Sequence, residues 1–325
     1  MRKLLITLTT FLFINLVHAQ ADNTKFIPSG KPFMTLFTNY HSTFIKNSNY
    51  NAFELQRAYF GYAVNFSEKF SGKVSVDVGN PGVGKYQMTA NFKNAYIQYR
   101  ADKLTAKFGL LGLTQFELQE QLWGGRYLFK SFQDEYKFGH SADLGISASY
   151  KFNDYFNADV AITNGEGYKS LETDSIFKYS VGLTVSPIKG LDVRAYYDYI
   201  GNPTAQQSIA IYAGYKKDKF YIASEYNKQL NHSRNKGEDL SGVSLYSSYK
   251  FKKFRLFGRF DQLNSAILTD SLISWNSAND GQAIIAGIEF EPVKGFKFSP
   301  NYQAWIPANN SAIKSSIYLS CEIKF

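Results

Sequence analysis

Few residues of this sequence have the types and spacing that catalysis requires. His41, His140 and His232 follow the N-terminal leader, and none has the short spacing of a metal site. A hydrolase needs a Ser–His pair, and His41 with a serine of a neighbouring strand is the one pairing left open. Opposed carboxylates resemble a glycosidase pair, although charge balance in a wet channel also explains them. We therefore predict no enzyme, no cofactor and no resident metal.

The charged residues instead follow a period of two, the period of β-strands. Arg57 and Tyr59 fall on one face of their segment, whereas Ala58, Phe60 and Tyr62 fall on the other. The same alternation recurs in segments of about ten residues up to the C-terminal Phe325, an aromatic ending that outer-membrane barrels share. Short connections, such as 67–69 and 101–103, alternate with long ones, such as 46–52, 78–91 and 113–139. This asymmetry is typical of an up-and-down transmembrane barrel, and we count about 16 strands.

Length and composition agree with a single all-β barrel. The chain has 325 residues, 17% of them aromatic, and 24 glycines against 8 prolines. These values indicate aromatic-rich strands with glycine-containing turns rather than a disordered chain. The longest apolar run, residues 4–17, is shorter than the roughly 20 residues that a membrane-spanning helix needs. Cys321, the only cysteine, has no intrachain disulfide partner and most simply serves as a small apolar residue.

The N-terminus has the pattern of a secretory signal peptide. Arg2 and Lys3 precede the apolar run, and Val17, His18 and Ala19 form a small-residue cleavage site. We assign residues 1–19 to the signal peptide and residues 20–325 to the barrel domain; the rival interpretation is an uncleaved anchor. Secretion and the scatter of charges over many strands also argue against nucleic acid as the partner of a chain with net charge +9.

The cost of charge in lipid decides which face of each strand points inward. A Lys or Arg facing lipid at mid-membrane costs roughly 2 to 4 kcal/mol, so charged positions must face the lumen. A barrel of about 16 strands is too wide for side chains to fill and leaves an aqueous channel. The excess of lumenal cations predicts a mild preference for anions. The wall residues that we predict to line the pore are Arg57, Asp77, Lys107, Arg194 and Arg259.

The third long connection, residues 113–139, is predicted to narrow this channel. It is apolar for a surface loop, and its pattern suggests one or two helical turns ending at Gly124 and Gly125. Folding the loop inward buries its aromatic residues and leaves Glu117 and Arg126 near the passage. The alternative is an outward loop that packs on neighbouring loops or on another protomer.

Five short segments form one set, namely 55–59 (LQRAY), 94–99 (NAYIQY), 123–127 (WGGRY), 141–145 (SADLG) and 164–167 (NGEG). They resemble the phosphate-selective porin family. The resemblance implies a 16-stranded, trimeric diffusion channel with an inward third loop and a ladder of arginines along the passage. Here the matching strand arginines are only Arg57, Arg194 and Arg259, and carboxylates lie between them.

The sequence thus predicts an outer-membrane porin for passive diffusion of small hydrophilic solutes. Anions are mildly preferred, with phosphate and other oxyanions as candidates. The expected partners are outer-membrane lipid, lipopolysaccharide, the solutes themselves and two further copies in a homotrimer. The competing hypothesis is a non-conducting barrel that acts as an adhesin or as a structural or binding subunit.

Overall fold

The predicted sixteen-stranded antiparallel barrel is confirmed. The computed structural model describes residues 26–80, 88–269 and 271–325, so the predicted signal peptide lies outside the described residues. Every strand pairs with its sequence neighbours, and β1 pairs with β16 to close the barrel. The strands are β1 (Ser29–Ile45), β2 (Ser48–Asn65), β3 (Phe70–Gly79), β4 (Thr89–Ala101), β5 (Leu104–Gly112), β6 (Ala142–Lys151), β7 (Phe156–Thr163), β8 (Lys178–Ile188), β9 (Leu191–Ile200), β10 (Gln206–Lys217), β11 (Phe220–Leu230), β12 (Leu240–Phe251), β13 (Phe254–Ser265), β14 (Gly281–Val293), β15 (Phe296–Pro307) and β16 (Lys314–Lys324). No helix in these ranges is long and apolar enough to cross a bilayer.

Inward and outward side chains alternate along the strands as the lipid penalty requires. In β11 the inward Tyr221, Glu225 and Gln229 are buried, whereas the outward Ile222 and Tyr226 are exposed. Large apolar side chains are exposed in this way on strands all around the barrel. Such an exterior is stable in a lipid bilayer but not in water, which supports the assignment of the charged face to the lumen.

The connection between β1 and β2 is tighter than the sequence suggests. We expected an irregular stretch over residues 46–52, but Ile45 pairs directly with Ser48 and leaves a two-residue turn. Lys46 has φ 51°, and a positive φ at the first turn residue is typical of tight hairpins. The polar composition of the segment concealed strand pairing that continues to the tip of the hairpin.

The third long connection folds into the barrel, as predicted. It forms two short helices, α1 (Glu117–Trp123) and α2 (Phe132–Glu135), and α1 ends at Gly124, whose φ of 63° lies in the left-handed region that glycine favours. Trp123 is 1% exposed and packs edge-on against Tyr246 and Phe257, with ring centroids 5.5 and 5.9 Å apart. The loop therefore lies against the inner face of β12 and β13.

Candidate pore constriction

Arg194 of β9 anchors the beginning of the inward loop. Its guanidinium donates to both carboxylate oxygens of Asp159, at 2.6 and 3.0 Å, and to the Thr114 carbonyl oxygen at 3.0 Å. The residue is 4% exposed. Arg194 was predicted to line the pore, but its hydrogen bonds are used to hold the loop on the wall.

Arg259 of β13 anchors the middle of the loop in the same way. It donates to the Lys130 carbonyl oxygen at 2.7 Å and forms two hydrogen bonds with Asp261, at 2.8 and 2.7 Å. Its guanidinium also lies 5.5 and 5.2 Å from the ring centroids of Trp123 and Phe129. Arg259 is likewise 4% exposed, so it too lies behind the loop and not along the passage.

Three more hydrogen bonds join the loop to the barrel wall, and the sequence analysis predicted none of them. Arg255 donates to the Trp123 carbonyl oxygen at 3.0 Å, and Gln303 donates to that of Leu128 at 3.0 Å. The Tyr127 hydroxyl donates to Glu289 at 2.8 Å. These contacts join residues more than a hundred positions apart, and no local pattern indicates them. The loop is therefore fixed to one side of the barrel, that of β9 and β11 to β15.

Space remains on the other side of the loop, where Arg126 projects. Its guanidinium is 3.3 Å from Glu120 of α1 and 3.0 Å from Asp134 of α2, so it joins the two helices. Arg126 lines each of three cavities, with volumes of about 720, 540 and 490 Å³. Arg126 therefore lies at the point where the three cavities meet the loop, and its place beside a passage stays a prediction.

Arg57 of β2 faces Arg126 from the barrel wall. Its guanidinium donates to both oxygens of Asp77, at 3.1 and 3.0 Å, and it lines two of the same three cavities. Asp77 itself is 1% exposed, and it also accepts a 2.5 Å hydrogen bond from the Tyr168 hydroxyl. Asp77 was predicted to line the pore; it instead orients Arg57 and holds residues 164–177 against the wall.

Lys93 of β4 is a third cation at this point, and sequence reasoning missed it. Simple alternation places Lys93 on the lipid face, but the register shifts so that Ser75 pairs with Asn94 and Val76 with Phe92. The bulge lets Lys93 turn inward, where it hydrogen-bonds Ser141 and lies 4.6 Å from the Tyr168 ring centroid. We call Arg57, Lys93 and Arg126 the basic constriction.

The last two predicted residues lie nearer the short-turn end of the barrel. Lys107 of β5 pairs with Gln98 of β4 and places its ammonium 5.5 Å from the Tyr96 ring centroid. Glu117 of α1 is exposed and lines the 490 Å³ cavity together with Lys324. Neither belongs to the basic constriction.

The carboxylates of the loop moderate the positive charge. Burial raises the pKa of the Glu120 carboxyl, and the adjacent Arg126 partly opposes that shift. Glu120 therefore gains a proton at a higher pH than an ordinary glutamate. Lowering the pH therefore removes the negative charge that Glu120 places beside Arg126.

Comparison with known proteins supports the fold at low sequence identity. No family model and no curated protein matches the chain, so the resemblance to the phosphate-selective family is not confirmed. Among solved structures, Salmonella typhi OmpF in complex with daunomycin has a TM-score of 0.68 at 12% identity, covering 90% of this chain and 97% of that one. The anion-selective porin from Comamonas acidovorans has a TM-score of 0.67 at 12% identity, covering 92% and 100%. The outer membrane channel DcaP of Acinetobacter baumannii has a TM-score of 0.66 at 12% identity, covering 94% and 99%. The chain thus shares the barrel fold of outer-membrane porins.

Proposed function

We propose that this protein is an outer-membrane porin for passive diffusion of small hydrophilic solutes, with a mild preference for anions, phosphate and other oxyanions among them. The observation that carries the proposal is the asymmetric position of the inward loop. Hydrogen bonds from the buried Arg194 and Arg259 hold the loop on one side of the barrel. A barrel of sixteen strands is too wide to be filled by side chains. The remaining space is lined by Arg57, Lys93 and Arg126.

Selection at this constriction is electrostatic. The three cations raise the local concentration of anions, and the carboxylates of Glu120 and Asp134 beside Arg126 limit the effect. The opposed charges also orient polar solutes across the passage. The preference weakens at high salt, because the Debye length falls from about 10 Å at 0.1 M to about 3 Å at 1 M.

The remaining parts of the proposal follow from a barrel in the outer membrane. A cleaved signal peptide delivers the chain, lipid covers the apolar exterior and lipopolysaccharide contacts the loops. We propose a homotrimer, the form named for a structurally similar protein, OmpT of Vibrio cholerae. The proposal includes neither catalysis nor binding of nucleic acid.

Planar-bilayer recording on the purified protein tests the proposal. Discrete conductance steps are expected, and the reversal potential in a KCl gradient is expected to indicate chloride preference. Silence at high protein input would favour the non-conducting adhesin or structural barrel instead. Steps with potassium preference would leave the channel standing and remove the anion preference.

A further inference from the structure

An aromatic groove lies beside α2, whose last residue Glu135 lines it. It consists of two cavities of about 300 and 330 Å³ that share Glu135, Tyr136 and Trp305 in their linings. Trp275 lines the first cavity and Tyr318 lines the second. We call the two cavities together the aromatic groove. Its four rings are those of Tyr136, Trp275, Trp305 and Tyr318. Glu135 also lines the 720 Å³ cavity beside Arg57, so the groove adjoins that cavity.

The rings of the groove are held in place by contacts with one another and with neighbouring residues. Tyr136 and Trp305 lie with ring centroids 6.0 Å apart, and Trp275 stacks on His232 at 5.7 Å. The Trp275 indole donates to the Asp239 carbonyl oxygen at 3.0 Å, which fixes the ring orientation. Tyr136, Trp275 and Trp305 remain half-buried, and their remaining surface faces the two cavities. The rings therefore form a preorganised platform.

Polar groups lie beside the rings. The Asn279 amide donates to the Asn276 side-chain oxygen at 2.8 Å, which leaves the Asn279 oxygen and the Asn276 amide hydrogens for a ligand. Glu135 is 3.6 Å from Lys130, too far for a strong hydrogen bond, so its carboxylate can accept others. Lys137 lines the same cavity and forms no ion pair within the described ranges. Lys314 lines the second cavity, so the groove combines one carboxylate and two ammonium groups with the amides and carries only a small net positive charge.

This combination suits one class of solute. A pyranose ring has an apolar face of C–H groups and an equatorial belt of hydroxyls that both donate and accept hydrogen bonds. Flat aromatic walls complement the face, and amide, carboxylate and ammonium groups complement the belt. An inorganic anion has no apolar surface to pack against the rings. A purely apolar ligand would leave the amide groups without hydrogen-bond partners. We propose that the aromatic groove binds neutral pyranose sugars. This inference rests on the proposed function and deepens it, because it names a class of solute that binds beside the constriction.

Sugar binding can be measured on the protein in detergent without any membrane. The chain has three tryptophans, of which Trp275 and Trp305 line the groove and Trp123 is buried behind the loop. Titration with maltose is expected to change the tryptophan emission saturably, with calorimetry giving the affinity. Mannitol, which has the hydroxyls but no ring, is expected to give no saturable change. Absence of a saturable maltose response, or saturation by phenol but not by maltose, would overturn the proposal.

Variants then locate the site. Trp275→Ala is expected to weaken maltose binding about tenfold, which corresponds to about 1.4 kcal/mol of lost contact. Asn279→Ala changes an exposed residue and retains all three tryptophans as reporters. This variant is expected to weaken maltose binding severalfold. Leu272→Ala is the matched control, because this side chain is 98% exposed on the same loop and does not line either cavity. Unchanged binding in both groove variants, or equal weakening in the control, would contradict the site.

The two proposals fail separately. If maltose binds and no conductance is seen, the groove stands and the porin proposal does not. If channels open and no sugar binds, only the groove is wrong.

Discussion

Replacing Arg126 by alanine should convert the mild anion preference into a cation preference. In the wild type the guanidinium lies 3.3 Å from Glu120 and 3.0 Å from Asp134, so it offsets one of two negative charges. The variant leaves both carboxylates facing the passage with only Arg57 and Lys93 near them. The substitution therefore changes the net charge of this part of the passage by one unit, from one excess carboxylate to two around the site of Arg126.

The size of the change follows from Coulomb's law. An ion about 5 Å from the site loses about 0.8 kcal/mol of interaction with one unit charge in water. Screening at 0.1 M salt reduces this to about 0.5 kcal/mol. Such a change lowers the local anion concentration about twofold and raises that of cations by the same factor. The chloride-to-potassium permeability ratio should therefore fall about fivefold.

Reversal potentials in a KCl gradient, measured at neutral pH, give this ratio directly. Arg126→Lys, which keeps the charge, should restore most of the anion preference. Lys151→Ala is the matched control, because it removes an ion-paired cation, 2.7 Å from Asp154, at a turn far from the constriction. A permeability ratio in Arg126→Ala within the range of the control would refute the placement of Arg126 at the narrowest point.

Three further predictions concern the groups around the loop. Arg259→Met should lower the free energy of unfolding in urea by about 3 to 5 kcal/mol, because the buried Asp261 loses its counterion. The double variant with Asp261→Leu should recover most of that loss. A double variant no more stable than the single one would contradict this. Lowering the pH below neutrality should increase the anion preference, because burial raises the pKa of Glu120 and its negative charge is lost early. Glu120→Gln should show the increase already at neutral pH, with a flatter pH profile of the reversal potential. A profile of this variant equal to that of the wild type would argue against Glu120 as the titrating group. Tyr168→Phe should increase fluctuations in the open-channel current, since residues 164–177 lose the hydrogen bond to Asp77. Current noise equal to that of the wild type would show that this bond does not hold the segment.

The fold was predictable because one strong energy term acts on every strand. A charge in lipid is so costly that alternation alone assigns Arg57, Lys107 and Arg259 to the lumen, and the structure places them there. The inward loop was predictable for a related reason, since the aromatic residues around Trp123 need a place to be buried.

The roles of individual charges were not predictable from the same pattern. Alternation shows that Arg194 and Arg259 face inward, but only the folded loop shows that they bind its carbonyl groups at Thr114 and Lys130. Lys93 was missed because a β-bulge reverses its face, and a bulge depends on pairing with the neighbouring strand.

We propose that water and ions pass between the inward loop and the wall that carries Arg57. The most direct test is thiol modification during single-channel recording in a Cys321→Ser background, which leaves the chain without cysteine. With Arg57→Cys, a charged methanethiosulfonate should reduce the current in irreversible steps. With Ser208→Cys, whose side chain is buried against Gln229, the current should not change. Absence of channels, or a current through Arg57→Cys that the reagent does not alter, would contradict the account.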